Sequence, residues 1–338
     1  MKAVIDIPLE APSADVLARF GPVEVANLSA SRFEGKPRRL DAEAIRDAEV
    51  LLCVYPPTNL ADMRALRWIQ ITSTGYKQVV GLGLTERGIQ VSNSRGCYDT
   101  AIAEWNLGMM VMLTRDVRQM IRNQDRARWA LDEPFHQEMR GRTLGLWGYG
   151  GIGRETARIA RHLGLQVHVL TRHGVRPRRD TYGLPGTGDP EGVLPHRTFT
   201  GGQTAEFLAG LDYLIVAMPL TSATDGLIGE RELRLLPRTA FVLNPARGAI
   251  IQEQALIRAL QEGWIAGAAI DTHYQYPLPP EHPLWKFPNV ILTPHISGSG
   301  ESARYPERLW DLFAQNLERF RAGRPLLNRL TADELLGN

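Results

Sequence analysis

Short apolar runs alternate with segments of helical period along most of the chain. In the first hundred residues, 4–7, 50–55, 68–71 and 89–91 read as strands, with helices predicted between them at 41–47 and 60–66. That rhythm is the signature of a parallel sheet covered by helices. A long helix is predicted over 100–122, carrying Glu104 and Trp105 and then the apolar Leu107, Met110, Val111 and Leu113. A second, more regular series follows. Its strands are 144–147, 166–170, 211–217, 240–244, 267–271 and 290–293, and its helices include 154–163 and 253–262. The last helix, 303–321, places Leu309, Leu312, Phe313, Leu317 and Phe320 on one face, which predicts that it returns to pack on the first domain.

Prolines punctuate this second series. Pro219, Pro245 and Pro294 each follow a strand, where proline ends the element without breaking a ladder. Ligands of open sheets bind at the carboxyl ends of the strands, so Pro219, residues 244–248 and His295 fall on the ligand side. Residues 177–202 are rich in Gly, Pro, Thr and charge. They read as a surface excursion longer than an ordinary connection, mobile or reserved for a specific contact, with a short strand near 197–199.

Composition narrows the class only a little. The 338 residues suffice for two domains, and 43% hydrophobic residues provide a substantial core. Basic and acidic side chains number 39 and 37, so charge gives no argument for nucleic acid or a membrane surface. Two cysteines, Cys53 and Cys97, do not make a disulfide framework. No apolar run approaches the roughly 18 residues needed to span a bilayer, and no signal peptide opens the chain; a cytoplasmic location is expected.

Chemistry enters at residues 144–153, where an apolar run leads into Gly148-Tyr149-Gly150-Gly151-Ile152-Gly153 and then a helix. A lone GxGxxG is a weak signal, but strand, glycine turn and helix in that order predict a dinucleotide site. Gly148 allows the tight turn, Gly150 the close approach of a pyrophosphate, and Gly153 the packing of helix on strand. The N–H groups around Gly151 and Ile152 face the phosphate charge.

The chain resembles the D-isomer-specific 2-hydroxyacid dehydrogenase family. The resemblance runs from about residue 51 to 328 and rests on several stretches in order. These are Ala103-Glu104, the Gly148–Gly153 turn, Ala217-Met218-Pro219-Leu220-Thr221, Val242-Leu243-Asn244-Pro245-Ala246-Arg247-Gly248, Pro283-Leu284-Trp285 and Thr293-Pro294-His295-Ile296. It implies an α/β protein of two Rossmann-like or flavodoxin-like domains with parallel sheets. A nicotinamide dinucleotide domain, 102–297, would be inserted into a discontinuous substrate domain, 1–101 plus 298–338. It also implies a homodimer and hydride exchange between NAD(P)H and a small 2-keto or D-2-hydroxy acid.

The resemblance assigns roles residue by residue. Arg247 matches the family arginine, whose planar fork suits both the substrate carboxylate and the keto oxygen. His295 matches the family histidine that exchanges a proton with that oxygen. Asp271 matches a position beside the nicotinamide. Ser73, Thr74 and Gly75 match the turn that offers N–H groups to the substrate carboxylate, while Pro219 and Ala246 fall in cofactor-lining stretches. Tyr76 and Tyr98 fit either a substrate pocket or ordinary packing.

One position departs from the family. Tyr276 precedes Pro277 where the glutamate partner of the histidine is expected. A phenol can hydrogen-bond an imidazole but cannot stabilise an imidazolium by charge, so His295 is expected to have a lowered pKa. Glu301 is the nearest candidate for a replacement carboxylate in sequence. A dinucleotide-binding interaction protein with weak or no turnover is the alternative function.

The cofactor reading turns on the end of the second strand. An acidic residue there would bind the ribose hydroxyls of NAD, but the chain has Thr171, Arg172 and His173. NADP is therefore the favoured cofactor and NAD the alternative. The spacing of His273, His282 and His295 matches no compact metal motif, so no metal is expected. Glyoxylate, hydroxypyruvate, pyruvate and bulkier aryl keto acids stay open as substrates.

Overall fold

The computed structural model describes the chain apart from residues 8–13, 29–35, 132–136, 301, 303 and 338. Its described strands form two sheets in which every paired neighbour is parallel. The first sheet contains β1 (Lys2–Asp6), β2 (Glu24–Asn27), β3 (Val50–Cys53), β4 (Trp68–Ile71) and β5 (Gln90–Ser92), in the order β2-β1-β3-β4-β5. That is the flavodoxin-like order. The second contains β6 (Thr143–Trp147), β7 (Gln166–Leu170), β8 (Arg197–Phe199), β9 (Tyr213–Val216), β10 (Phe241–Asn244), β11 (Gly267–Ile270) and β12 (Val290–Leu292). Its order, β12-β11-β10-β9-β6-β7-β8, is the doubly wound Rossmann arrangement, with its switch point between β6 and β9.

The chain divides into two compact units. One comprises Met1–Tyr98, Asp180–Gly183 and Gly300–Asn338, and the other Asp99–Arg179 and Leu184–Ser299. Strands β3, β4, β9 and β11 are buried along their whole length, which is why they read as apolar runs, interrupted only by Gln70 in β4. In the first unit the helix Arg304–Arg321 buries Leu309, Leu312, Phe313, Leu317 and Phe320 in a cluster with Trp68 and Phe20. Each such side chain contributes about 1.5–3 kcal/mol by leaving water. Its buried Asn316 fixes the register: Nδ2 donates to Gln70 Oε1 at 3.1 Å, and Gln70 accepts from Ser92 Oγ at 2.7 Å.

Two expectations from the pattern need correction. The helix over 100–122 is two helices, Asp99–Thr114 and Val117–Asp125. Asp116 takes a left-handed conformation (φ 43°), and its carboxylate accepts from Gln119 N at 3.3 Å, capping the second helix. The apolar period continues across the break, which hides it from pattern alone. Residues 60–66 yield only a 3-10 turn, Leu60–Asp62. The chain also contains β2 and the helix Ala14–Phe20, which the pattern left unassigned.

The excursion is not a surface loop throughout. Its strand is β8, as expected, but Tyr182 and Asp189 are buried. Tyr182 joins the core of the first unit: its N–H donates to Asn328 Oδ1 at 3.1 Å, and a Cβ at Gly96 would strike its carbonyl. Asp189 belongs to the second unit, where it accepts from Tyr149 Oη at 2.7 Å and from the N–H groups of Gly192, Val193 and Leu194. Arg154, also buried, donates to the carbonyls of Asp189, Tyr149 and Arg176. These bonds fasten residues 184–194 onto the first turn of the helix Gly151–His162.

Candidate active site

The glycine turn is built by what it lacks. Gly148 has φ 107°, and a Cβ there would run into the carbonyl of Ala217 after β9. Only glycine meets both demands. The turn thereby presses against the neighbouring strand end at the switch point. A Cβ on Gly150 would meet nothing within 4 Å, so this glycine presents open backbone. A Cβ on Gly153 would lie 2.8 Å from Gly148 O, so helix and strand approach as closely as they do only without one. The helix begins at Gly151, earlier than its apolar period suggests, and its first N–H groups point out of the turn.

At the end of β7 the Thr171 hydroxyl is buried without a hydrogen-bond partner, while Arg172 beside it is exposed. An orphaned buried hydroxyl next to a free guanidinium suits a polar ligand at this strand end. No acid occupies positions 171–173. Pro219 is exposed in the loop after β9, and its carbonyl accepts from Thr224 Oγ1 at 2.7 Å.

Three adjacent strands supply the reactive corner: Arg247 follows β10, Asp271 follows β11 and His295 follows β12. Asn244 shapes the first loop, donating from Nδ2 to Arg247 O at 2.9 Å and accepting at Oδ1 from Ala246 N at 3.1 Å. The Arg247 side chain is exposed and spends one donor on Ala246 O at 2.6 Å, leaving most of its fork open. A Cβ on Gly248 would sit 2.8 Å from the His273 carbonyl, so this glycine lets the arginine loop lie against residues 272–273.

Asp271 is fully buried and works as a clamp. Its Oδ1 accepts from Thr293 Oγ1 at 2.6 Å and from Ile296 N at 2.9 Å, and its Oδ2 accepts from Ser297 N at 3.0 Å. His295, enclosed by these bonds, is left-handed (φ 59°), with its own N–H donating to Asp271 O at 2.8 Å. The role that the resemblance gives Asp271 faces the cofactor; the bonds it makes here all face the histidine loop.

His295 is exposed by surface area, yet protein packed around its ring makes desolvation the first cause of a lowered pKa. The Arg247 guanidinium lowers it further, Asp271 acts in the opposite direction, and His273 adds to the lowering. Arg247 and His295 therefore feel each other's charge. Tyr276 is 58% exposed, with its ring centroid 5.6 Å from that of His295. Its hydroxyl accepts from His273 N at 3.2 Å. The phenol ring lies tilted beside the imidazole, at 50° between the ring planes, and its polar end serves the neighbouring backbone. Glu301, the replacement carboxylate suggested by spacing, lies outside the described residues.

In the first unit, the Ser73–Thr74–Gly75 turn follows β4. Its carbonyls are tied down by Ser94 N (3.0 Å), Asn93 Nδ2 (2.7 Å) and Ser73 Oγ (2.6 Å) respectively. Among the described residues, the N–H groups of Thr74 and Gly75 have no recorded acceptor, which suits an anion. Tyr98 stacks on Tyr305 at 4.8 Å, and half-buried Tyr76 packs against an apolar cluster of the same unit. His282 pairs with Glu253 at 2.6 Å, and His273 bonds Thr293 O at 2.8 Å. Sequence reasoning placed Asn244 and Gly248 on the ligand side and named His273, but not the contacts through which the three shape this corner.

A Rossmann-order sheet with this turn, and an arginine and a histidine at the ends of the two strands that flank β11, define a dinucleotide-dependent oxidoreductase. Residues 107–297 match the family described as D-isomer specific 2-hydroxyacid dehydrogenase, NAD binding domain. A glyoxylate reductase of Thermofilum pendens is 36% identical over 283 residues, covering 81% of this chain and 78% of the relative. One from Aeropyrum pernix is 30% identical over 324 residues, covering 92% and 90%. The crystal structure of a D-isomer specific 2-hydroxyacid dehydrogenase family protein from Aeromonas salmonicida is similar at a TM-score of 0.78 and 25% identity, covering 98% of each chain. The chain belongs to the D-isomer specific 2-hydroxyacid dehydrogenase family and is an NAD(P)-dependent dehydrogenase. Among the described residues, no helix is long and apolar enough to cross a membrane.

Proposed function

We propose that this protein is an NADPH-preferring reductase of small 2-keto acids, of which glyoxylate is the first to try. The observation that carries the reading is the convergence of Arg247 and His295 after β10 and β12. The names of the relatives from Thermofilum pendens and Aeropyrum pernix support the substrate class. Thr171, with its unpartnered hydroxyl, and exposed Arg172 support NADPH, because a 2′-phosphate offers both a partner and no carboxylate stands at 171–173 to repel it.

Bound in the Gly148–Gly153 turn, the dinucleotide supplies the hydride. Arg247 holds the substrate carboxylate and draws charge onto the keto oxygen as it becomes an alkoxide. His295 delivers the proton to that oxygen, so reduction requires the imidazolium and oxidation the neutral ring. Asp271 holds the His295 loop in its left-handed turn while this happens. The homodimer expected of the family and a cytoplasmic location belong to the same proposal; light scattering checks the first.

Keto-acid-dependent oxidation of NADPH and of NADH tests the assignment. Faster turnover with NADPH, and its loss on Arg172→Asp in exchange for NADH activity, is the expected result. Equal use of both cofactors by the unmodified protein would overturn the NADPH preference.

A further inference from the structure

The helix Asp99–Thr114 packs against the helix Gly151–His162 that follows the glycine turn. Buried Asn106 donates to Thr156 Oγ1 at 3.1 Å and fixes their register. Asp99 lies seven residues before Asn106 and Gly151 five before Thr156, so the helices run parallel and start side by side. Two positive macrodipole ends therefore meet at one place. The Asp99 carboxylate lies against Gly151 there: a Cβ on Gly151 would fall on its oxygens. Gly151 has no left-handed φ, so the carboxylate, rather than the backbone conformation, explains the glycine.

We infer that the Asp99 carboxylate is an internal counter-ion for the paired helix ends, competing there with the pyrophosphate of the dinucleotide and weakening its binding. The inference rests on reading Gly148–Gly153 as the dinucleotide turn. A phosphate drawn to the N-terminus of Gly151–His162 meets the same positive end that Asp99 already neutralises. Bringing two anions together at a few ångströms is unfavourable even with solvent screening. Asp99 thus stabilises the ligand-free protein at the expense of cofactor affinity.

Asp99→Asn tests this, since asparagine keeps the size of the side chain and one acceptor oxygen while removing the charge. NADPH and NADH are titrated by fluorescence, and thermal unfolding is followed with and without cofactor. The expected result is dinucleotide binding tighter by about tenfold, an order of magnitude set by one like charge at short range. The ligand-free Tm falls, and saturating NADPH raises Tm by more in the variant than in the parent. Asp99→Ser repeats the test should the asparagine variant fold poorly. A lowered Tm with unchanged or weaker cofactor binding would mean that Asp99 only begins its helix, and would overturn the inference. If the unmodified protein bound neither cofactor, the reading of the turn itself would fall, and this inference with it.

Discussion

The glycine turn at 148–153 and the corner drawn from residues 271–297 both lie at carboxyl ends of strands of one sheet and are made by opposite means. In the turn, side chains are removed so that backbone meets backbone or lies open. In the corner, one buried carboxylate gathers three donors and holds a histidine in an uncommon conformation. The first solution is steric and local, readable as spacing. The second is a network, and nothing in the spacing of Asp271, Thr293, Ile296 and Ser297 announces it. Binding the dinucleotide needs a shape that many sequences share, whereas poising a proton donor needs an electrostatic balance set by each neighbour.

Four substitutions break or sharpen that contrast. The largest effect is expected from His295→Gln, which should cut kcat for keto-acid reduction by about 10²–10⁴-fold, the usual contribution of a general acid, while NADPH affinity stays within about twofold. Comparable loss of cofactor binding would show that the corner and the turn are not separable.

Next is Gly148→Ala. With φ at 107° and the Ala217 carbonyl in the way, the turn must rearrange, and NADPH affinity should fall about a hundredfold. Circular dichroism should retain the helices. Near-normal binding would refute the steric account of the turn.

Asp271→Asn replaces an acceptor with an amide that cannot serve Thr293, Ile296 and Ser297 together. Leaving a buried donor unpaired costs about 1–3 kcal/mol, measured by denaturant unfolding. Because Asp271 is the group opposing the lowering of the His295 pKa, the pH limb for reduction should also move to lower pH. A purely structural clamp would lower stability and leave the limb in place.

The smallest of the four is Tyr276→Phe. The hydroxyl bonds His273 N rather than His295, so kcat should change less than about threefold, a change near 0.6 kcal/mol. A tenfold loss would place the phenol in proton transfer.

Much of the fold was legible because its central strands are buried on both faces and its helices carry one apolar face. β4 and β7 match their apolar runs to the residue. Local chemistry overruled the pattern where Asp116 caps a new helix inside an unbroken apolar period, and where the edge strand β2 is too exposed to stand out. Within the excursion, the composition around Tyr182 and Asp189 reads as solvent-facing, yet both are buried by partners distant in sequence, Asn328 and Tyr149. The same limit applies at the site. Residue types at strand ends named Arg247 and His295, but only three dimensions reveal that Asp271 faces the histidine loop and that the Tyr276 hydroxyl does not.

The central claim is that His295 donates the proton with no carboxylate at position 276 to support its charge. The pH dependence of kcat/KM for glyoxylate reduction by NADPH, compared between the parent and Tyr276→Glu, tests it most directly. Desolvation and Arg247 hold the imidazole pKa low, so the parent should lose reductase activity as pH rises through a value below the ordinary histidine pKa. A glutamate beside the ring should move that limb upward by about one pH unit or more. A limb already above the ordinary histidine value in the parent, or one that Tyr276→Glu leaves in place, would contradict the account.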